Sequence, residues 1–212
     1  MPSTSRAGAN TLAEILPSSR AAAIGTSILI AIVGSLLMTL AAKYKIPFEP
    51  VAMTLQPFVV LLLGLTLGAR LAGGTIALYL SQGAMGLPVF TGTPEKGIGL
   101  AYMMGPTGGF LAGFFIAAVV VGMLADRGWS RSVFMATLAA IIGLALLYLP
   151  GITWLAGWLS AAKGTALSDA ASTAITVGAA PFIAKDLLAA VIAALMVATG
   201  WSLAKQRRRK SG

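Results

Sequence analysis

The sequence predicts an all-α integral membrane protein with six transmembrane helices and both termini on the cytoplasmic side. Three observations carry this: 58% of the 212 residues are apolar, only 10% are charged, and the basic residues fall unevenly between the apolar runs. An average soluble domain is about 25% charged. A soluble chain of this length cannot hide so much apolar surface from water, so lipid is its natural solvent.

A spanning helix needs about 20 mostly apolar residues. The first run, 21–42, meets this without a charge. It is too long for the core of a signal peptide, and its small residues Ala21 to Ala23 open the run instead of following it, so it reads as a retained helix. The second span is 51–68. The third, 71–90, is broken near Gly86 and Pro88. The fourth is 106–125 with an apolar lead-in from Gly97, the fifth 133–149 and the last 180–203. The stretch 151–178 is less apolar and holds Lys163 and Asp169, so it is expected to be a re-entrant or interfacial loop. The chain thus divides into a polar segment 1–20, a single membrane domain 21–203 and a basic cytoplasmic tail 204–212.

Six spans put both termini on one side of the membrane. That side collects Arg6, Arg20, Arg70, Arg127, Arg131, Lys205, Arg207, Arg208, Arg209 and Lys210. The other side has Lys43, Lys45, Lys96 and Lys163, with Lys185 near the start of the last span left out of the count. Basic residues favour the cytoplasmic face, which fixes the orientation and makes a five- or seven-span chain unfavourable. The net charge of +9 therefore reads as a topology signal near anionic lipid, with no role for nucleic acid.

Absences narrow the chemistry. The sequence has no cysteine and no histidine, which removes thiolate and imidazole metal ligands and the usual proton shuttle near neutral pH. Gly92 to Gly97 faintly resembles a phosphate-binding loop, but Ile98 stands where the lysine belongs. No catalytic residue, metal or cofactor is expected. A membrane enzyme would need clustered carboxylates or metal ligands that are missing.

The polar residues gather at the outer ends of the spans. Pro47 and Pro50 forbid a regular helix between the first two spans. Thr54 and Gln56 follow, and a glutamine in a dry site must find a partner in a neighbouring helix or in a ligand. Tyr79, Phe90, Tyr102 and Met104 offer aromatic and apolar walls. The glycines around Pro106, with Gly105 first, expose backbone at a helix start. Lys96 is either a solvated loop charge or the partner of a ligand carboxylate. Asp186 in the last span is the costliest group to insert, at least about 2.5–3.5 kcal/mol near mid-bilayer. It is either a site residue or half of an interfacial pair with Lys185. On the first helix, Ala23, Ser27, Ala31, Ser35 and Thr39 recur every fourth residue. Such a small-residue stripe serves either packing within the chain or docking of a partner's helices.

These outer segments resemble the BioY family, the substrate-binding membrane subunits (S components) of energy-coupling-factor (ECF) vitamin importers. The resemblance lies in Met53-Thr54-Leu55-Gln56, Leu67-Gly68-Ala69-Arg70, Gly83-Ala84-Met85-Gly86-Leu87-Pro88-Val89-Phe90, Gly105-Pro106-Thr107-Gly108-Gly109-Phe110, and Pro181-Phe182 with Asp186, in family order over most of the chain. It implies a six-helix subunit of the bacterial cytoplasmic membrane that binds biotin near the outer surface. The connections after the first and third helices would help close the site. Thr54, Gln56, Tyr79, Phe90, Lys96, Tyr102, Met104, Gly105 and Asp186 would surround the ligand. A transmembrane coupling protein and two cytoplasmic ATPases would supply energy, docking on the first helix at Ala23, Ser27, Ala31 and Ser35. Another vitamin such as thiamine or riboflavin, or transport without dedicated ATPases, are the alternatives. The chain departs from the family pattern at two positions: Lys185 replaces the usual glycine before the aspartate, and Ala189 replaces the lysine three residues after it. A lysine one turn on would share the aspartate's helix face, whereas residue 185 is expected to point elsewhere. The lysine's role is therefore not assigned to Ala189, and Lys185 and Lys96 both stand as substitutes.

Overall fold

The structure, a computed structural model, describes Thr11 and residues 19–210. Of the expected polar segment 1–20, only Thr11, Ser19 and Arg20 fall among them, and the end of the basic tail lies outside. The described chain is helical, with one two-stranded hairpin. In order, it runs α1 (Arg20–Lys43), β1 (Lys45–Ile46), β2 (Met53–Thr54), α2 (Gln56–Leu67), α3 (Ala69–Ala84), α4 (Gly99–Met103), α5 (Gly108–Asp126), a 3-10 turn (Trp129–Arg131), α6 (Val133–Lys163), α7 (Leu167–Gly178) and α8 (Ala180–Lys210).

Four of these helices, α1, α5, α6 and α8, are long and apolar enough to cross a membrane. The side chain of Ser19 caps the first of them by accepting from the Ala22 N–H at 3.2 Å, and Lys43 in its last turn complements the helix dipole. The second and third predicted spans are shorter as helices. Only Gln56–Leu67 is helical in the second, because Met53–Thr54 instead pairs antiparallel with Lys45–Ile46. Pro57 opens α2, where its missing N–H costs nothing. Helix α2 passes into α3 at Gly68, whose φ of +79° suits glycine; a Cβ there would lie 2.2 Å from Asp126 Oδ1. Asp126 also accepts the Ala69 N–H at 3.0 Å, so the end of α5 caps the start of α3. Helix α3 stops at Ala84, and Gly86, at φ +94°, begins the turn that Pro88 continues.

The expected loop over 151–178 is a correction. Helix α6 continues through Pro150 to Lys163, and α7 follows after a turn at Gly164 with φ +64°. Lys163 and Asp169 lowered the apolar content of this stretch without breaking its period. Gly151, Leu155, Ala156 and Leu159 are buried along one face, and Ala170, Ala174 and Gly178 along α7. Glycines bring α5 against α6: Cβ atoms at Gly109 and Gly113 would lie 2.3 Å from the Pro150 carbonyl and 2.4 Å from the Leu147 carbonyl. Such backbone proximity is how helices associate in lipid. At about 1.5 Å per residue, the 31 residues of α6 span roughly 46 Å, more than a bilayer core of about 30 Å.

Two apolar clusters form the interior. One centres on Ile76, Tyr79, Phe90, Leu147 and Leu155, the other on Leu61, Val121, Ala140 and Ala194, and Tyr148 packs against both. Large apolar side chains such as Ile28, Leu36 and Leu188 face outward.

Candidate binding site

A cavity of about 140 Å³ lies where the β1–β2 hairpin, the start of α2, the α3–α4 connection and the nearby parts of α4, α5, α6 and α8 converge. Its apolar wall includes Phe110, Phe114, Leu147 and Phe182. Phe48, in the hairpin, meets Phe182 edge to face at 5.9 Å between centroids.

Asp186 is the most deeply placed charge in this wall, at 1% exposure. One carboxylate oxygen accepts from the Tyr148 hydroxyl and the other from Lys185. Lys185 Nζ also donates to the Thr54 carbonyl at 2.9 Å. Burying a carboxylate is costly unless it is paired and hydrogen-bonded, and here both conditions hold. This corrects the expectation that residue 185 points away. The flexible stem of a lysine lets its ammonium return to the neighbouring residue's side chain.

Gln56 is 4% exposed and fully engaged. Its Nε2 donates to the Tyr79 hydroxyl at 2.9 Å, and its Oε1 accepts from Thr91 at 3.1 Å and from Thr54 at 3.4 Å. Tyr79 donates in turn to the Val89 carbonyl at 3.2 Å. Thr91 reaches the Ala42 carbonyl at 3.1 Å, and Lys43 Nζ donates to the Phe90 carbonyl at 3.0 Å. These bonds bolt the α3–α4 connection to the ends of α1 and α2. Gln56 edges the cavity while its polar atoms serve the scaffold.

Of the nine expected site residues, Thr54, Gln56, Lys96, Tyr102, Gly105 and Asp186 line the cavity. Tyr79, Phe90 and Met104 lie outside its lining. Tyr79 and Phe90 are completely buried behind it. Phe90 packs edge to face on Tyr79 at 5.4 Å and stacks on Tyr102 at 5.1 Å, and this aromatic column consumes the surface that a ligand would need. Met104 is 64% exposed, away from the cavity.

Burial pushes the Tyr102 phenol above its ordinary range, against a smaller opposing effect of its hydrogen bond with Thr107. It thus stays a donor, to the Thr91 carbonyl. Lys96 is held by both oxygens of Glu49 at 2.8 Å, which joins the α3–α4 connection to the hairpin across the cavity mouth. Gly105 donates its N–H to the Tyr102 carbonyl at 3.0 Å and accepts from Trp154 Nε1 at 2.8 Å, so its backbone is occupied.

The α1 stripe turns inward. Ser35 is completely buried and donates to Gln82 of α3, while Ala23, Ser27 and Ala31 are half-buried. A Cβ on the adjacent Gly34 would lie 2.5 Å from Thr75 Cγ2. At Ser35 the small residues serve packing within the chain. Ser27 returns its hydroxyl to the Ala23 carbonyl at 2.9 Å.

Sequence reasoning missed Tyr148, Phe110 and Thr91. Tyr148 carried a readable signal, since a phenol inside an apolar span needs a hydrogen-bond partner and Asp186 was the strongest unpaired acceptor.

A profile of the BioY family matches residues 14–206. Similar relatives include "Biotin transporter BioY" of Thermotoga maritima, 37% identical over 76% of this chain and 86% of the relative. "Biotin transporter BioY" of Rhodobacter capsulatus is 36% identical over 81% of this chain and 90% of its own length. Among solved structures, the crystal structure of the S-component for biotin from an ECF-type ABC transporter matches with a TM-score of 0.69 at 20% identity, covering 92% of this chain and 96% of that one. The last match concerns the fold. With its several long apolar helices, the chain is a multi-pass membrane protein. By the family match over nearly its full length and the identity to these relatives, this chain belongs to the BioY family.

Proposed function

We propose that this chain captures biotin at the outer face of the bacterial cytoplasmic membrane as the substrate-specificity subunit of an ECF-type importer. The observation that carries the reading is the buried Asp186 carboxylate, held between Tyr148 and Lys185 beside an apolar wall of Phe110, Phe114, Leu147 and Phe182. Biotin matches this chemistry. Its ureido group carries N–H donors for a carboxylate and a carbonyl acceptor for an ammonium. Its sulfur ring is apolar and its valerate chain ends in an anion. Asp186 accepts from the ureido N–H, and Lys185 donates to the ureido oxygen after leaving the Thr54 carbonyl. Gln56, bound to Tyr79 and Thr91, positions the wall around Thr54 instead of reading the ligand.

In this reading α1, α2, α3, α5, α6 and α8 are the six spans, and α4 and α7 lie toward the outer rim. Both termini are cytoplasmic, supported by the ten basic residues on that side against four on the other. The chain acts as a carrier, not an enzyme. With no phosphate-binding loop of its own, it depends on a transmembrane coupling protein and two cytoplasmic ATPases for release inward. Ala23, Ser27 and Ala31, half-buried on α1, are the small residues that a coupling helix can still approach.

Purified full-length protein is expected to copurify with biotin, identified by mass spectrometry, and to bind labelled biotin at equilibrium. Asp186→Asn keeps the shape and loses the charged acceptor, so affinity should fall by about tenfold or more. Unchanged affinity in that variant, or copurification of a different vitamin, overturns the reading.

A further inference from the structure

Five charged side chains reach the cavity: Lys45, Glu49, Lys96, Lys185 and Asp186. Four of them are paired with each other, Lys96 with Glu49 and Lys185 with Asp186. Lys45 has no ion pair and no side-chain hydrogen bond among the described residues. Its root is nevertheless fixed, because its backbone sits in the hairpin opposite Thr54. Lys43, two residues earlier, is already spent on the Phe90 and Thr93 carbonyls.

The cavity therefore holds one buried acid and one unpaired cation. Asp186, at 1% exposure, is bound to Tyr148 and Lys185, while Lys45 is exposed. Phe110, Phe114 and Leu147 contribute the apolar wall. A ligand with a hydrogen-bonding head for Asp186 and Lys185 and an anionic tail for Lys45 meets complementary chemistry in this cavity. Two other candidates for the tail are less suitable. Lys96 must abandon both oxygens of Glu49, and the Gly105 N–H must abandon the Tyr102 carbonyl. Of these three groups, Lys45 alone can take an anion without breaking a contact already made.

We infer that Lys45 anchors the terminal carboxylate of the ligand and makes the site select the free acid over its neutral derivatives. The inference rests on the proposed capture of biotin. A solvated ion pair is weaker than a buried one, so the expected selectivity is about threefold to fivefold, with a loss of strength in salt.

The test is equilibrium binding of biotin and of its primary amide to full-length protein in lipid nanodiscs. Wild type should bind the acid about threefold to fivefold tighter than the amide. Lys45→Gln should bring that ratio close to one by weakening the acid alone, and Lys45→Arg should restore it. Lys96→Gln should change both affinities by a common factor and leave the ratio intact. A ratio that survives Lys45→Gln, or one that Lys96→Gln abolishes, overturns the assignment of Lys45. If wild type binds neither compound, the biotin reading itself fails and takes this inference with it.

Discussion

Replacing Lys185 by methionine keeps the apolar stem out to the ε position but removes the ammonium that touches Asp186. The carboxylate, at 1% exposure, then keeps only the Tyr148 hydroxyl as a donor. Breaking a fully buried ion pair from one side costs about 3–5 kcal/mol. The Lys185 side chain is 29% exposed, so water entering from the cavity replaces part of what is lost. A cost of about 2 kcal/mol is therefore expected. For a chain of this size that corresponds to a fall of about 4–8 °C in Tm. Asp186→Asn alone should cost less, about 1 kcal/mol, because the exposed ammonium keeps both water and the Thr54 carbonyl. The double variant leaves no uncompensated charge and should melt closer to wild type than Lys185→Met does. The pair would then show a coupling of about 1–2 kcal/mol. Thermal unfolding of all four proteins in one detergent measures this. A Tm for Lys185→Met within about 1 °C of wild type, or a double variant that loses the sum of the two single losses, refutes the claim that this pair holds the buried charge.

Two further outcomes concern the scaffold and the mouth. A Cβ on Gly83 would fall 2.0–2.6 Å from three atoms of the Phe90 ring, so Gly83→Ala should cost about 1–3 kcal/mol by overpacking, whereas Gly74→Ala, with nothing within 4 Å, should be neutral or slightly stabilising. Equal Tm values for the two variants would show that the Tyr79–Phe90–Tyr102 column is not tightly packed. The Lys96–Glu49 pair is exposed, with side chains 42% and 76% accessible, so Glu49→Gln should change stability by less than about 1 kcal/mol while speeding release of bound ligand several-fold in a chase experiment. Release at the wild-type rate would show that this pair does not clasp the mouth.

The resemblance to BioY is legible in the sequence because its residues are local strings, such as Met53 to Gln56 and Gly105 to Phe110. The apolar segments are likewise legible, because apolar content over about 20 residues is a property of one stretch of chain. Local content misleads where the neighbourhood overrides it. Lys163 and Asp169 make 151–178 look like a loop, yet contacts such as Gly151 against Phe110 and Gly178 against Leu155 hold this stretch as packed helices.

Site residues divide the same way. Sequence alone singles out Asp186 and Gln56, since an ionised or amide group in an apolar run demands a partner wherever it sits. It has no means of naming those partners. Tyr148 lies 38 residues from Asp186, Thr54 lies 131 from Lys185, and Glu49 lies 47 from Lys96. Tyr79 and Phe90 look like ligand walls because an aromatic side chain carries no mark of which neighbour it will cover. Composition and period thus determined which segments are apolar enough for lipid and which polar groups need company. Packing among distant helices decided who supplies that company, because hydrogen bonds and ion pairs act over a few ångströms of space and are indifferent to separation along the chain.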